Sequence, residues 1–123
     1  MIIVDSSGWI EYFTNGPLAG AYEKYMENLQ ELCTPTIILF EIVKFIQREK
    51  GEESALIAAG QVMKTQVTAL DDNLALHAAE ISLKHSLPMS DAIIYATALQ
   101  KGCTLVTSDQ HFEHLGDVVY LGR

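Results

Sequence analysis

The sequence predicts an α/β fold in which helices cover both faces of a parallel sheet. Short apolar runs of strand length alternate along the chain with longer segments of helical periodicity. The first run, residues 1–4, is apolar at every position, as expected for a strand that is buried on both faces. Right-handed crossovers between parallel strands bring the carboxyl ends of all the strands to one edge of the sheet. Ligands of such folds bind at that edge.

Length and composition predict one folded domain that spans residues 1–123. Hydrophobic residues make up 49% of the chain, which argues against a disordered protein. No apolar run approaches the roughly 20 residues needed to cross a membrane, and the apolar start is too short for a signal peptide. We therefore expect a cytoplasmic protein that does not bind membranes.

Turn and capping residues divide the first half of the chain into two strands and four helices. Ser6 or Ser7 is the expected cap of the first helix, and Asn15-Gly16-Pro17 ends that helix. The predicted strands are residues 1–4 and 31–34, and the predicted helices are residues 8–13, 18–30, 37–50 and 53–64.

The second half contains three predicted strands, two helices and one short helical turn. Ser90 is the expected cap of a strongly apolar helix that Gly102 closes. Cys33 and Cys103 each lie in a predicted strand, and we expect two buried thiols rather than a disulfide. The strands are residues 66–70, 103–107 and 117–121, the helices are residues 72–85 and 91–101, and the turn is residues 110–115.

Four acidic residues are predicted to converge at the carboxyl edge of this sheet. Asp5 ends the first strand, Asp109 lies two residues beyond the fourth, and Asp91 opens the helix that follows Ser90. Glu41 lies in the second turn of its helix and is the only charge in a seven-residue apolar stretch. Like charges this close repel each other, and oxygen ligands of this kind suit Mg²⁺ or Mn²⁺. Such ions activate water and stabilise charge on a phosphate during in-line displacement.

Each acid also has an ordinary structural interpretation. Asp91 complements a helix dipole, Asp109 caps the turn at residues 110–115, and an aspartate such as Asp5 is common in turns. Glu41 pairs with Lys44 or Arg48 if it lies on a solvated helix face. Convergence of the four carboxylates is what distinguishes a site, and it is a prediction from topology alone.

Polar residues beside the acids are predicted to have supporting roles. Ser6 and Thr107 are the expected supports for a metal-bound water. His111 and His114 flank the Asp109 turn without clear ligand spacing, which favours surface or capping roles for both. The formal net charge of −8 disfavours long-range attraction to phosphates. A nucleic-acid partner therefore requires local basic residues or bound cations.

Four sequence blocks, in order and spacing, resemble those of PIN domains, most closely the toxin ribonucleases of VapBC toxin–antitoxin pairs. The blocks are VDSS at residues 4–7, the mid-helix Glu41, SDAIIYATA at residues 90–98 and TLVTSDQHF at residues 104–112. The resemblance implies a three-layer α/β/α fold with a parallel five-stranded sheet of order 3-2-1-4-5. It also implies a Mg²⁺- or Mn²⁺-dependent endoribonuclease that cleaves phosphodiester bonds of RNA. Asp5, Glu41, Asp91 and Asp109 match the acidic site of that family.

The resemblance also implies two protein partners, a second copy of the chain in a homodimer and a VapB-like antitoxin that blocks the site. Tyr12, Phe13, Tyr22 and Tyr25 are predicted to provide apolar surface for such association.

Two other functions stay open at this point. One is a catalytically silent PIN-like module that binds proteins, against which the intact acidic set argues. The other is a phosphoacceptor or phosphatase-like domain that uses Asp5. Chemistry of that kind usually employs a lysine near the aspartate, and the fourth-strand region has no well-placed one.

Overall fold

The computed structural model describes residues 1–122 and confirms the predicted α/β class. Its five strands pair only in parallel, and six helices connect them. The strands are β1 (Ile2–Val4), β2 (Cys33–Pro35), β3 (Gln66–Thr68), β4 (Thr104–Thr107) and β5 (Val118–Tyr120). The helices are α1 (Ser6–Thr14), α2 (Ala19–Glu23), α3 (Thr36–Lys50), α4 (Glu52–Val62), α5 (Asp72–His85) and α6 (Met89–Lys101).

The predicted single five-stranded sheet of order 3-2-1-4-5 differs from the structure, in which the strands form two separate groups. Strands β1, β4 and β5 form one hydrogen-bonded group with β4 in the middle, and β2 pairs with β3 in a second group. A single parallel bridge between Ile2 and Leu32 joins the two groups. Strand β2 is three residues long and ends at Pro35, which has no N–H to donate. Few backbone hydrogen bonds can therefore form between β2 and β1.

The central strands are covered on both faces. Ile3 and Val4 are neighbours in β1 and point to opposite sides, yet both are buried. Leu105 and Val106 in β4 are both fully buried in the same way. This burial explains the apolar runs in the sequence, and it leaves the carboxyl ends of the strands as the place where polar side chains collect.

The predicted helix at residues 18–30 is wrong in length. Helix α2 ends at Glu23, and Leu29–Glu31 forms a separate 3-10 turn. After Tyr22 the backbone makes tighter bonds between residues three apart, and the Asn28 side chain accepts the N–H of Gln30 to cap the 3-10 turn.

Two predicted helix caps are also wrong. Pro88, whose ring favours a helix start, precedes α6 and places Ser90 inside the helix. Asp5 rather than Ser6 or Ser7 caps α1. The prediction for the thiols is confirmed, since Cys33 and Cys103 are both free and buried. Within residues 1–122, no helix is both long enough and apolar enough to span a membrane.

Candidate active site

Asp5 is a buried carboxylate between β1 and α1. Its side chain is the cap of α1, with Oδ1 accepting the backbone N–H of Ser6 at 2.8 Å. Its other oxygen, Oδ2, accepts the hydroxyl of Thr107 at 2.7 Å. Burial raises the pKa of Asp5 to about 7, and the charges of Glu41 and Asp91 act in the same direction. A carboxylate held in this way is costly to ionise unless a cation lies next to it.

Thr107 links two of the acids across the sheet. Besides donating to Asp5, its hydroxyl oxygen accepts the backbone N–H of Asp109 at 3.0 Å. The parallel pairing of Val4 with Val106 sets this arrangement, because it places the residues after β1 and near the end of β4 side by side. Ser6, the other predicted support, contacts Asp5 through its backbone N–H.

A compact cluster lies at the carboxyl edge of the sheet, which we call the rim. It consists of Asp91, Asp109 and His111. Nδ1 of His111 lies 2.7 Å from Oδ2 of Asp91 and 3.3 Å from Oδ1 of Asp109. One ligand atom from each of the three residues falls within 4.8 Å of the others. Burial raises the pKa of Asp91, as does the neighbouring Asp109 carboxylate, and the His111 hydrogen bond opposes that rise. The Asp91 hydrogen bond in turn raises the pKa of His111.

Glu41 contacts the rim from helix α3. Its Oε2 accepts the hydroxyl of Ser90 at 2.8 Å, which ties α3 to the start of α6. Its Oε1 is buried and has no hydrogen-bond partner among the described residues. The alternative pairing with Lys44 or Arg48 does not occur, since Arg48 pairs with Glu49 and Lys44 lies over the ring of Phe40.

A second polar network holds the segments that carry Asp5 and Asp109. The hydroxyl groups of Tyr22 and Ser108 are 2.6 Å apart, and the N–H of Ser108 points to Oγ of Ser7 at 3.4 Å. Tyr22 itself is fully buried. It packs so closely on Gly8 that a Cβ there would lie 2.6 Å from Cδ1 of the tyrosine ring, which explains why residue 8 is a glycine.

The structure therefore brings the four sequence-predicted acids into one region at the carboxyl edge of the sheet. Asp5 is within electrostatic reach of Glu41 and Asp91, and Asp91 is within reach of Asp109. His111 is exposed, as predicted, but its ring also lies between two of these carboxylates, a contact that sequence reasoning did not predict. Sequence reasoning also missed the contacts that Ser90 and Tyr22 make, and no local pattern signals a hydrogen bond between distant segments.

The donor set fits a hard divalent cation. Asp91, Asp109 and His111 offer two carboxylates and one imidazole with donor atoms within 4.8 Å of one another. Asp5 and Glu41 lie outside that group, and no basic side chain is paired to either of them in the part of the chain described. The buried, unpartnered Oε1 of Glu41 is the clearest sign of a fit, because an orphaned carboxylate oxygen is stabilised by a metal ion.

A carboxylate cluster at the carboxyl edge of a parallel α/β sheet is an arrangement with which nucleases hold divalent cations. The chain belongs to the PIN-domain family, whose family pattern matches residues 2–118. No curated protein sequence matches the chain significantly.

Solved structures with the same fold include three from bacteria. A toxin–antitoxin complex from Klebsiella pneumoniae is 19% identical, with a TM-score of 0.82 over 97% of this chain and 96% of that one. The sarcin-ricin-loop-cleaving toxin VapC20 of Mycobacterium tuberculosis is 21% identical, with a TM-score of 0.81 over the whole of both chains. DNA-bound VapBC from Salmonella typhimurium is 21% identical, with a TM-score of 0.78 over 99% and 98%. At these identities the likeness is one of fold.

Replacement of Glu41 by Gln tests whether this side chain belongs to the metal site. We expect Glu41→Gln to raise the melting temperature of the protein in EDTA, because it removes a buried charge beside Asp5. In Mn²⁺ the same change should lower metal affinity, because it removes a charged ligand. Melting curves in EDTA and in Mn²⁺ give both results.

Glu80→Gln is the matched control, since Glu80 is exposed on helix α5. It should change the free energy of unfolding by no more than about 0.5 kcal/mol, either in EDTA or in Mn²⁺. If Glu41→Gln behaves like Glu80→Gln, Glu41 lies outside the metal site.

Proposed function

We propose that the protein is a Mg²⁺- or Mn²⁺-dependent endoribonuclease, and the toxin of a type II toxin–antitoxin pair. The observation that carries the proposal is the convergence of Asp5, Glu41, Asp91 and Asp109 on one rim, with a buried glutamate oxygen that has no protein partner. Membership of the PIN-domain family and the fold shared with VapC proteins support the same activity.

The four carboxylates are the residues that would hold the ion. A bound Mg²⁺ or Mn²⁺ supplies a Lewis acid for charge on the phosphate and makes a coordinated water more acidic. The protein's part is to keep the ligands in place. Thr107 fixes Asp5 and the backbone of Asp109, and Ser90 fixes Glu41. Ligands fixed in advance need no reorganisation as the substrate reacts.

The acidic rim also explains why the ion matters for substrate binding. The chain carries a formal charge of −8, and a polyanionic RNA approaching bare carboxylates would be repelled. Cations at the rim reverse that repulsion at the scissile phosphate. The proposal thus assigns RNA binding and catalysis to the same ions.

Chelation tests the proposal directly. We expect cleavage of total RNA extracted from bacteria in Mg²⁺ or Mn²⁺, and none in excess EDTA. The reason is that every proposed acidic ligand binds through carboxylate oxygens, which prefer hard divalent cations, and EDTA removes such cations. Mapping of new RNA 5′ ends measures cleavage, and restoring Mn²⁺ after EDTA is the control for irreversible damage. Full cleavage in excess chelator would overturn metal dependence. No cleavage in any metal would favour the catalytically silent binding module.

The proposed protein partners are a VapB-like antitoxin and a second copy of the chain. Apolar side chains that one chain leaves uncovered support association, among them Phe40, Leu56, Ile57 and Leu83, which are 57%, 67%, 63% and 87% exposed. The predicted role of Tyr22 in this surface is wrong, because Tyr22 is fully buried, whereas Tyr12 is 45% exposed.

We expect light scattering to give twice the chain mass for the protein alone. Co-expression with the small protein encoded beside it should yield a stable complex whose formation inhibits RNA cleavage. A strict monomer at high concentration would contradict the homodimer, and separate elution of the two proteins would contradict the antitoxin pairing.

A further inference from the structure

His111 is held at the rim by features of its own turn. The 3-10 turn Gln110–Phe112 begins at Asp109, whose Oδ1 accepts the backbone N–H of His111 at 2.9 Å. Phe112, the next residue, is fully buried and anchors the turn in the core. The imidazole of His111 is therefore directed by its backbone toward Asp91, although its side chain is 57% exposed.

The distances around His111 match those between neighbouring ligands of one ion. In an octahedral site with ligand bonds of about 2.1 Å, adjacent donor atoms lie about 3.0 Å apart. Nδ1 of His111 is 2.7 Å from the Asp91 oxygen and 3.3 Å from the Asp109 oxygen, values on either side of that spacing. The exposure of His111 also leaves room for the waters that such ions retain.

We propose that His111 is a nitrogen ligand of the metal site and gives it a preference for Mn²⁺ over Mg²⁺. The inference rests on the proposed function, since it concerns the same ion. Imidazole is a good ligand for transition metals, whereas carboxylate and water oxygens suit Mg²⁺ and Mn²⁺ alike. One nitrogen among the four carboxylates therefore raises affinity for Mn²⁺ more than for Mg²⁺. A site built from Asp5, Glu41, Asp91 and Asp109 alone would show a smaller difference between its affinities for Mn²⁺ and Mg²⁺.

Calorimetric titration of the metal-free protein with Mn²⁺ and then with Mg²⁺ tests the preference. We expect tighter binding of Mn²⁺, and a loss of about tenfold or more in Mn²⁺ affinity in His111→Asn, with Mg²⁺ affinity changed by less than about threefold. Asparagine keeps a polar group that can hydrogen-bond with Asp91. The matched control is His114→Asn, because His114 is exposed three residues further along and should leave both affinities unchanged.

Pulsed electron paramagnetic resonance of bound Mn²⁺ separates a ligand from a residue that merely orients Asp91. A histidine ligand gives ¹⁴N coupling to Mn²⁺, and the signal should be present in the wild-type chain and in His114→Asn but absent in His111→Asn. A wild-type chain without that coupling, or an equal fall in Mn²⁺ and Mg²⁺ affinity in His111→Asn, would overturn the inference and leave the proposed function standing. A wild-type chain that binds neither ion at millimolar concentration would overturn both.

Discussion

Asp91→Asn is expected to lower RNA cleavage by at least about a hundredfold, equivalent to about 2.7 kcal/mol of activation free energy. Asp91 lies at the centre of the rim, in contact with His111 and within electrostatic reach of Asp5 and Asp109. Asparagine has nearly the same shape and still accepts the His111 hydrogen bond, but it has no charge with which to hold a divalent ion. Asp5→Asn should have a comparable effect for the same reason.

The fold should survive these changes, because each removes repulsion among carboxylates. Circular dichroism of the variants checks this, and 5′-end mapping of total bacterial RNA measures cleavage. Asp72→Asn is the matched control, since Asp72 is exposed at the start of α5 and accepts the N–H of neighbouring Asn73. An Asp91→Asn protein with unchanged cleavage and unchanged Mn²⁺ affinity would remove Asp91 from the proposed site.

The acidic residues were predictable because topology alone brings them together. Parallel strands joined by crossovers place the residues after β1 and β4 at one edge, whatever the details of packing. Asp5 and Asp109 are positioned by backbone register, which the apolar runs of the sequence already indicate. Glu41 was recognisable as an isolated charge in an apolar helix, a pattern that requires a partner or a metal.

The contacts between side chains were not predictable in the same way. The hydrogen bond from Ser90 to Glu41 joins residues 49 positions apart, and it depends on how α6 packs against α3. The same holds for His111 and Asp91, which are 20 positions apart. Periodicity reports which face of an element is buried, but it carries no information on which side chains of two distant elements meet. The predicted length of α2 was wrong for a local reason. The spacing of Tyr25 and Leu29 fits a continuing helix, but Asn28 between them favours a cap that starts a new turn.

The buried carboxyl group of Asp5 predicts an unusual dependence of stability on pH. In the folded protein, burial raises its pKa to about 7 from 3.8. Between these values the folded chain keeps a proton that the unfolded chain has released, so the free energy of unfolding falls as the pH rises. The neutral Asp5 stabilises the fold fully below about pH 4, and that contribution is lost by about pH 7.

We therefore expect Asp5→Asn, measured in EDTA, to melt near the wild-type temperature at pH 4 and well above it at pH 7.5. The rise of the Asp5 pKa from 3.8 to about 7 corresponds to a difference on the order of 4 kcal/mol in the free energy of unfolding. Thermal melts of both proteins at equal ionic strength measure it, and subtraction cancels the groups that titrate independently of Asp5. In saturating Mn²⁺ the order should reverse at pH 7.5, because the ionised carboxylate is the form that binds metal. An equal difference in melting temperature at both pH values in EDTA would show that Asp5 does not change its charge in this range, and that its burial is offset by contacts other than a metal ion.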